Sequence, residues 1–524
     1  METLLIPVLL AACSRPAPPL FESLLPGTTH IDFANHITDS DTLSILDYLY
    51  FYNGGGVAIG DINNDGLPDI CFTASQGGNR LYLNKGDCRF EDITTKAGIS
   101  GHAGWTTGVT MADVNGDGWL DIYVCTVGGY KGLHSVNQLY INNRNSTFSE
   151  QAAQRGLAQQ GFCTQAAFFD YDRDGDLDMY LLKHSVHSTG TYLDTSVRRI
   201  HSPESGDQLF RNDSGYFTDV TQQSGIYSSA VGYGLGLAVA DLDNDGWEDL
   251  YISNDFHEND YYYHNNHNGT FSEINTTAFG HESRFSMGSD IADINNDGWL
   301  DIITLDMLPT SEAVLKSSGG DDPADTYEYK KSFGYHDQYS RNCLQLNTGA
   351  GLRFSDIALY SGVAATDWSW APLIADFDND GRTDIFVSAG ILRRPNDLDY
   401  IKYVVTDEVQ RMMRGSPGIN KTLLEKMPSG KWHNYLFQGT DSLVFKDRSA
   451  DWGLQAPAFS NGAAYADLDN DGDLDIVVNR INEPAALYRN RATALNHHHY
   501  LQLRFKGYPP NTQGIGAKVW LKSG

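Results

Sequence analysis

Seven stretches of this chain share a nine-residue pattern, D-x-[DN]-x-D-G-x-x-D, with an oxygen-bearing side chain at positions 1, 3, 5 and 9. The first three sets are Asp61, Asn63, Asp65 and Asp69; Asp113, Asn115, Asp117 and Asp121; and Asp170, Asp172, Asp174 and Asp178. The next two are Asp241, Asp243, Asp245 and Asp249, then Asp293, Asn295, Asp297 and Asp301. The last two are Asp376, Asp378, Asp380 and Asp384, then Asp467, Asp469, Asp471 and Asp475. Hard divalent cations want several oxygen ligands, and Ca²⁺ takes roughly six to eight in flexible geometry. Side chains at this spacing converge on one ion, with the position-7 carbonyl as a fifth donor. Glycine at position 6 admits a turn that a side chain would not tolerate. An EF-hand opens in the same way but closes with a glutamate at position 12 and is flanked by helices. Here the closing acid is the position-9 aspartate and the flanks are strand-like, so the pattern specifies a calcium loop within a β-hairpin. Up to seven Ca²⁺ are expected.

The elements that must position these loops repeat with them. Successive loops start 52, 57, 71, 52, 83 and 91 residues apart. A small or apolar run precedes each loop, such as Gly56-Val57-Ala58-Ile59-Gly60, and a β-branched or aromatic run follows, such as Ile122-Tyr123-Val124. A third segment often ends in asparagine (Leu81-Tyr82-Leu83-Asn84, Leu487-Tyr488-Arg489-Asn490), and a fourth has the form F-x-[DE] (Phe90-Glu91-Asp92, Phe271-Ser272-Glu273). Four short strands per unit, punctuated by Gly, Asn and Asp, predict an all-β, seven-bladed β-propeller. The seventh unit lacks a good F-x-[DE] strand after Asn490, and a propeller closes its ring to remove exposed edges. The strand-like segment Ile31-Asp32-Phe33-Ala34 is expected to supply the closing strand beside Leu487-Tyr488.

In such a blade the acidic loops, joining the first and second strands, all decorate one face. The long insertions follow the second strand and must emerge on the opposite face: His184 to Gly206, Asp306 to Arg341, and Gly390 to His433. The last reads as helical, with Leu398, Ile401, Val404, Val405 and Val409 at helical spacing. Long loops on a rigid scaffold commonly carry binding, so a protein or glycan ligand is expected at this face. Trp105, Trp368 and Trp370 are candidates to stack on it, and Arg393 and Arg394 to clamp an anionic group; packing between blades and local salt bridges are the plainer roles for the same residues. His184, His187 and His201 form a candidate metal or acid–base cluster, with solvated loop histidines as the alternative.

Composition narrows the function classes. Against 37 Lys and Arg stand 67 Asp and Glu, a formal charge of −30, with mean hydropathy −0.38. Nucleic-acid binding needs a basic footprint and is excluded. Twenty-five of the acids stand at positions 1, 3, 5 and 9 of the seven loops; seven Ca²⁺ would add 14 charges and take −30 to −16. No GxSxG, HExxH, P-loop or dinucleotide fingerprint is present, so no catalytic residue is assigned. A binding or scaffold module is favoured over the alternative, a propeller-based hydrolase or lyase acting on extracellular glycans. A capture component of an outer-membrane uptake complex is a further setting for the same binder.

At the N-terminus an apolar run, Leu4 to Ala12, ends in Leu10-Ala11-Ala12-Cys13. This resembles a bacterial lipoprotein signal, with residues 1–12 cleaved, Cys13 lipidated and 13–28 a linker; the segment departs from the pattern in carrying Glu2 and no Lys or Arg before the run. Membrane contact is then through the anchor alone, at the outer membrane or cell surface. The other five cysteines, 71, 88, 125, 163 and 343, show no CxxC spacing, and their pairing stays open.

The repeat unit over residues 29–492 resembles the FG-GAP/VCBS repeat of integrin α-subunit propellers. The tail, Tyr500-Leu-Gln-Leu-Arg-Phe505 with Gly514-Ile-Gly516-Ala-Lys-Val519, is similar to the opening of the ASPIC/UnbV domain that follows such repeats in bacterial surface proteins and the cartilage acidic protein family. The resemblance implies a partial second small β domain over 495–524 and supplies no catalytic residues.

Overall fold

The computed structural model describes residues 18–99, 104–186, 194–349, 352–406 and 419–521. The expected signal segment, Cys13, His187 and Val409 lie outside the described residues. Seven four-stranded antiparallel sheets form a ring, each running from an inner strand to an outer one. Blade one is Val57–Gly60, Asp69–Phe72, Arg80–Asn84 and Phe90–Asp92; the other blades follow the same order. Residues from all seven inner strands, among them Val57, Thr107, Thr164, Gly236, Ser289, Pro372 and Ala463, line a central cavity of about 400 Å³. Glycine lets these strands crowd together: a Cβ on Gly108 would stand 2.5 Å from the Thr164 carbonyl of the next blade, and one on Gly288 1.9 Å from that of Trp370.

Apolar layers fill the space between adjacent sheets. Cys71 and Leu81 of blade one pack with Ile122, Val124 and Tyr140 of blade two, and equivalent layers follow around the ring. This packing settles the cysteine question: Cys71, Cys88, Cys125, Cys163 and Cys343 are buried free thiols.

Ring closure differs from expectation. The strand that completes blade seven is Phe21–Leu24, pairing Phe21 with Asn490 and Leu24 with Leu487, inside the segment the sequence reads as linker. Phe21 takes the place that Phe90 and Phe148 hold opposite Asn84 and Asn142, and it is 1% exposed. Phe33 instead stacks on Phe72, ring centres 4.8 Å apart, while Ala34 bridges Pro484. The apolar side chain facing the blade interior decides which segment closes the ring, and Phe21 meets that requirement.

One end of the cavity is closed by an aromatic plug. Tyr48, Tyr50, Phe51 and Tyr52, from the segment before the first repeat, join Trp105, Phe162, Tyr233, Met287 and Trp368 in one buried cluster. The blade-six insertion carries helices Leu398–Val404 and Ile419–Lys426. The blade-five insertion holds two helices not read from sequence, Glu312–Ser317 and Ala324–Ser332. Among the described residues no helix is long and apolar enough to cross a membrane.

In the tail, residues 497–521 form no strand. The segment runs along the acidic loops, with Tyr500 against Gly472, Pro510 against Gly116 and Trp520 against Gly298. Strands need partners to persist, and Leu501, Leu503 and Phe505 are exposed rather than set against a sheet.

Candidate functional site

Each acidic loop is wound around its own amides. In blade one, Asp61 accepts the N–H of Asp65 (3.0 Å) and of Gly66 (2.8 Å), Asn63 Oδ1 accepts that of Asp65 (3.0 Å), and Asp65 Oδ1 that of Leu67 (2.9 Å). Asp113, Asp241, Asp293, Asp376 and Asp467 repeat the position-1 contacts. The turn needs two left-handed residues in succession but one: position 6, always glycine, has φ from 86° to 100°, and position 4 has φ from 57° to 68°. Left-handed backbone favours Gly and Asn, which accounts for Asn64, Gly116, Asn244, Asn296, Asn379 and Asn470, with Arg173 the exception.

The position-9 aspartate has a second role that sequence reasoning missed. Asp69 accepts the Ile62 N–H at Oδ2 (3.0 Å) and the Asn84 N–H at Oδ1 (2.8 Å), tying the loop to the third strand. Asp121, Asp178, Asp249, Asp301, Asp384 and Asp475 do the same. All seven are at most 1% exposed. Burial pushes six of these carboxyls up, against the pull of the amides: Asp69, Asp121 and Asp301 to about 7, Asp384 to about 8, Asp178 to about 9, and Asp475 in the same direction.

Two further sets of contacts link neighbouring blades. The asparagine ending the third strand donates backward: Asn142 Nδ2 to Ile62 O (2.8 Å) and Leu120 O (3.0 Å), and likewise Asn84, Asn212, Asn265, Asn347 and Asn490. Blade six has Gly439 at this place, and Thr383 Oγ1 donates to the Asp293 carbonyl instead (3.0 Å). Position 4 donates forward to the next loop: Asn64 Nδ2 to Gly118 O (3.0 Å), Asn244 to Gly298 (3.0 Å), Asn296 to Gly381 (3.1 Å) and Asn470 to Gly66 (3.3 Å). The recurring Asn after the third strand was visible in the sequence, but its role needed the ring.

The loops gather ligand atoms. Carboxylate oxygens of Asp170, Asp172 and Asp178 lie within 4.8 Å of one another, as do those of Asp376, Asp378 and Asp384. Asp170 Oδ1 and Asp469 Oδ1 are buried without a hydrogen-bond partner among the described residues. This donor set suits a hard cation that takes oxygen. Two loops recruit groups from outside the pattern: His264 joins Asp243 and Asp245, and Cys88 joins Asp469 and Asp475. At blade four the Lys518 ammonium of the tail reaches Asp241 Oδ2 (2.7 Å).

The opposite face places the other candidates. Trp105 is 2% exposed, its ring 4.9 Å from that of Phe51. Trp368 is buried, and Trp370 is half-buried with Nε1 donating to Gly390 O (2.7 Å). Arg394 is buried in an ion pair with Asp367, and Arg393 donates to Leu424 O (2.7 Å). Both arginines thus brace the blade-six insertion. His184 and His201 have separate partners. His184 bonds Tyr48 Oη (2.7 Å) and Thr164 Oγ1 (3.0 Å), and burial pushes its imidazole down to about 3; His201 bonds Ser228 Oγ (2.9 Å). The plug residues were missed by sequence reasoning; the dense run Tyr48-Leu-Tyr-Phe-Tyr52 was the available signal.

The FG-GAP-like repeat family matches residues 61–124, 127–181, 196–252 and 241–304. Cartilage acidic protein 1 of Xenopus tropicalis is 30% identical over 204 residues, 38% of this chain and 29% of that protein. The human protein of the same name is 27% identical over 203 residues, covering 38% and 28%. The match spans less than a third of the length of these curated relatives. Among solved structures, a rhamnogalacturonan lyase of Bacillus licheniformis aligns over 92% of this chain and 77% of its own, with 11% identity and a TM-score of 0.41.

Proposed function

Taking the chain as an FG-GAP-repeat β-propeller, we propose that it is a calcium-binding, extracellular binding or scaffold module. The observation that carries this reading is the division of the ring into two faces. One holds seven acidic loops, in several of which the ligand atoms converge, some with buried oxygens unsatisfied among the described residues; the other bears non-repeating insertions around an apolar cavity. In the loops the position-1, -3, -5 and -9 side chains would hold Ca²⁺, and the ion would supply the positive charge that clustered carboxylates otherwise lack. The chain itself does the positioning: the glycine turn sets the loop, and the position-9 carboxylate fixes it to the third strand.

The FG-GAP repeats and the similarity to cartilage acidic protein 1 support an extracellular setting. We place the chain at a bacterial envelope, held by a lipid on Cys13, with residues 495–524 opening an ASPIC/UnbV-type domain. Its ligand, protein or glycan, meets the insertion face. The deciding experiment is elemental analysis with calcium titration calorimetry on the purified chain. Several equivalents of Ca²⁺ removed by EDTA, with a lowered Tm, support the proposal; no bound divalent ion and a Tm indifferent to EDTA overturn it. Glycan and peptide arrays read with and without calcium then test for the ligand.

A further inference from the structure

We propose that the apolar cavity beside the plug binds a small organic cation carrying a hydroxyl group, of the amino-alcohol class. The inference rests on reading the insertion face as the ligand face and names the chemistry that face selects. The cavity, about 280 Å³, lies between plug residues Leu49 and Tyr50, the blade-four and blade-five turns, and the blade-six insertion. That size is at the lower end for small-molecule sites, so it admits a compact ligand. Its walls include Tyr50, Phe256, Phe285, Trp368 and Trp370, and aromatic faces attract cations through the ring quadrupole. Phe285 already carries the Arg284 guanidinium 4.5 Å from its ring centre.

The charges around the cavity select the same sign. Asp255 is the acid in the lining and no Lys or Arg lines it among the described residues. Its carboxylate accepts the Phe256 N–H (2.7 Å) and the Tyr50 hydroxyl (3.2 Å), leaving further lone pairs for a ligand. Burial first, and then neighbouring Asp306, push the Asp255 carboxyl up to about 7, a cost that a cation in the cavity would offset, while Arg284 is paired with Asp322 (2.6 Å). An anion would meet Asp255 without a counter-ion. A sugar would surrender the hydration of several hydroxyls to a largely apolar wall.

The hydroxyl follows from two unsatisfied atoms. Trp368 Nε1, a donor, and Asn396 Oδ1, an acceptor, are buried without hydrogen-bond partners among the described residues, and both residues line the cavity. A hydroxyl is donor and acceptor together, so it is the ligand group that suits a lining with one of each.

The test uses the full chain in calcium, titrated with choline and followed by tryptophan fluorescence and calorimetry. The controls are 3,3-dimethylbutan-1-ol, its neutral isostere, and tetramethylammonium, which lacks the hydroxyl. Saturable choline binding is expected, at least tenfold tighter than the isostere and tighter than tetramethylammonium. Asp255→Asn should weaken choline tenfold and leave the isostere unchanged; Trp368→Phe should weaken choline toward tetramethylammonium. Equal binding of choline and isostere to the unsubstituted chain, which needs no variant to fold, overturns the proposal. So does co-sedimentation with phosphatidylcholine vesicles in the absence of free-choline binding. If a glycan or peptide binds the insertion face while choline does not, this inference fails and the broader reading stands; if neither binds, both fail.

Discussion

At the loop face Asp69 takes the amides of Ile62 and Asn84, and six equivalent aspartates make the same pair of contacts. At the plug face three neighbouring tyrosines find three different partners: Tyr48 meets His184, Tyr50 meets Asp255, and Tyr52 meets Asp39 (2.7 Å). Ion pairs follow the same division. The plug face holds deeply buried pairs that occur once each, such as Arg198 with Glu258 (2.7 Å) and Arg394 with Asp367, beside exposed ones such as Lys316 with Glu312; on the loop face Arg144 pairs with Asp117 (3.2 Å) with its guanidinium exposed. Repetition spreads stability over many small, similar contributions. The plug concentrates it in one apolar cluster. The first arrangement sums many equivalent contacts; the second rests on a few particular side chains.

Metal removal should break this comparison most strongly. At tenfold excess of free Ca²⁺ over Kd each site adds about 1.4 kcal/mol, so seven similar sites add roughly 10 kcal/mol. Calorimetry with and without EDTA reads that loss as a lower Tm. The chelated protein should also respond to pH in opposite senses on its two faces. The raised position-9 carboxylates bind protons in the native state that the unfolded chain has released, so their contribution is present at low pH and lost as pH rises from about 4 through about 7 to 9. His184, held neutral by burial, acts oppositely: the unfolded chain binds the extra proton between about 3 and 6.5, so stability is gained as pH rises through that range. Urea denaturation in EDTA across pH 4–9, repeated with His184→Gln, separates the two limbs.

Next in size, Phe51→Ala should cost about 3–5 kcal/mol by opening the plug. The loss should be the same in calcium and in EDTA, because independent regions add; a calcium-dependent loss would show the faces to be coupled. Asn142→Ala leaves the Ile62 and Leu120 carbonyls unpaired between two blades and should cost about 2–3 kcal/mol in urea midpoint analysis. Smallest, Asn64→Ala removes one exposed inter-loop hydrogen bond and puts alanine at φ 57°, for about 1 kcal/mol.

What sequence could convey follows the same division. Blade number, strand order, loop geometry and the glycine turn were legible because each recurs, and a pattern repeated seven times outweighs local ambiguity. The ring seam was misplaced by about ten residues because Ile31-Asp32-Phe33 reads as a strand while Phe21 lies in a stretch read as linker, and only the pairing of Phe21 with Asn490 reveals the closing segment. The plug, the blade-five helices and the cavity were illegible for a different reason. Each depends on side chains from distant segments meeting once, as Tyr50 and Asp255 do, and a single occurrence leaves no period to detect. Trp368 and Trp370 were singled out by residue type; that they border the same cavity as Phe256 and Asn396 required the fold.

The seam at Phe21–Leu24 also sets the order of biosynthesis. Glu22 and Arg489, its partner across the seam, are 467 residues apart, so the earliest strand made waits for nearly the last. Until blade seven is translated the nascent arc leaves the apolar faces of blades one and six uncovered, and the entropy of closing so long a loop is recovered in one late step. Ring closure is therefore gated by blade seven, and the intermediate most exposed to aggregation through its apolar faces is the six-blade arc that precedes it.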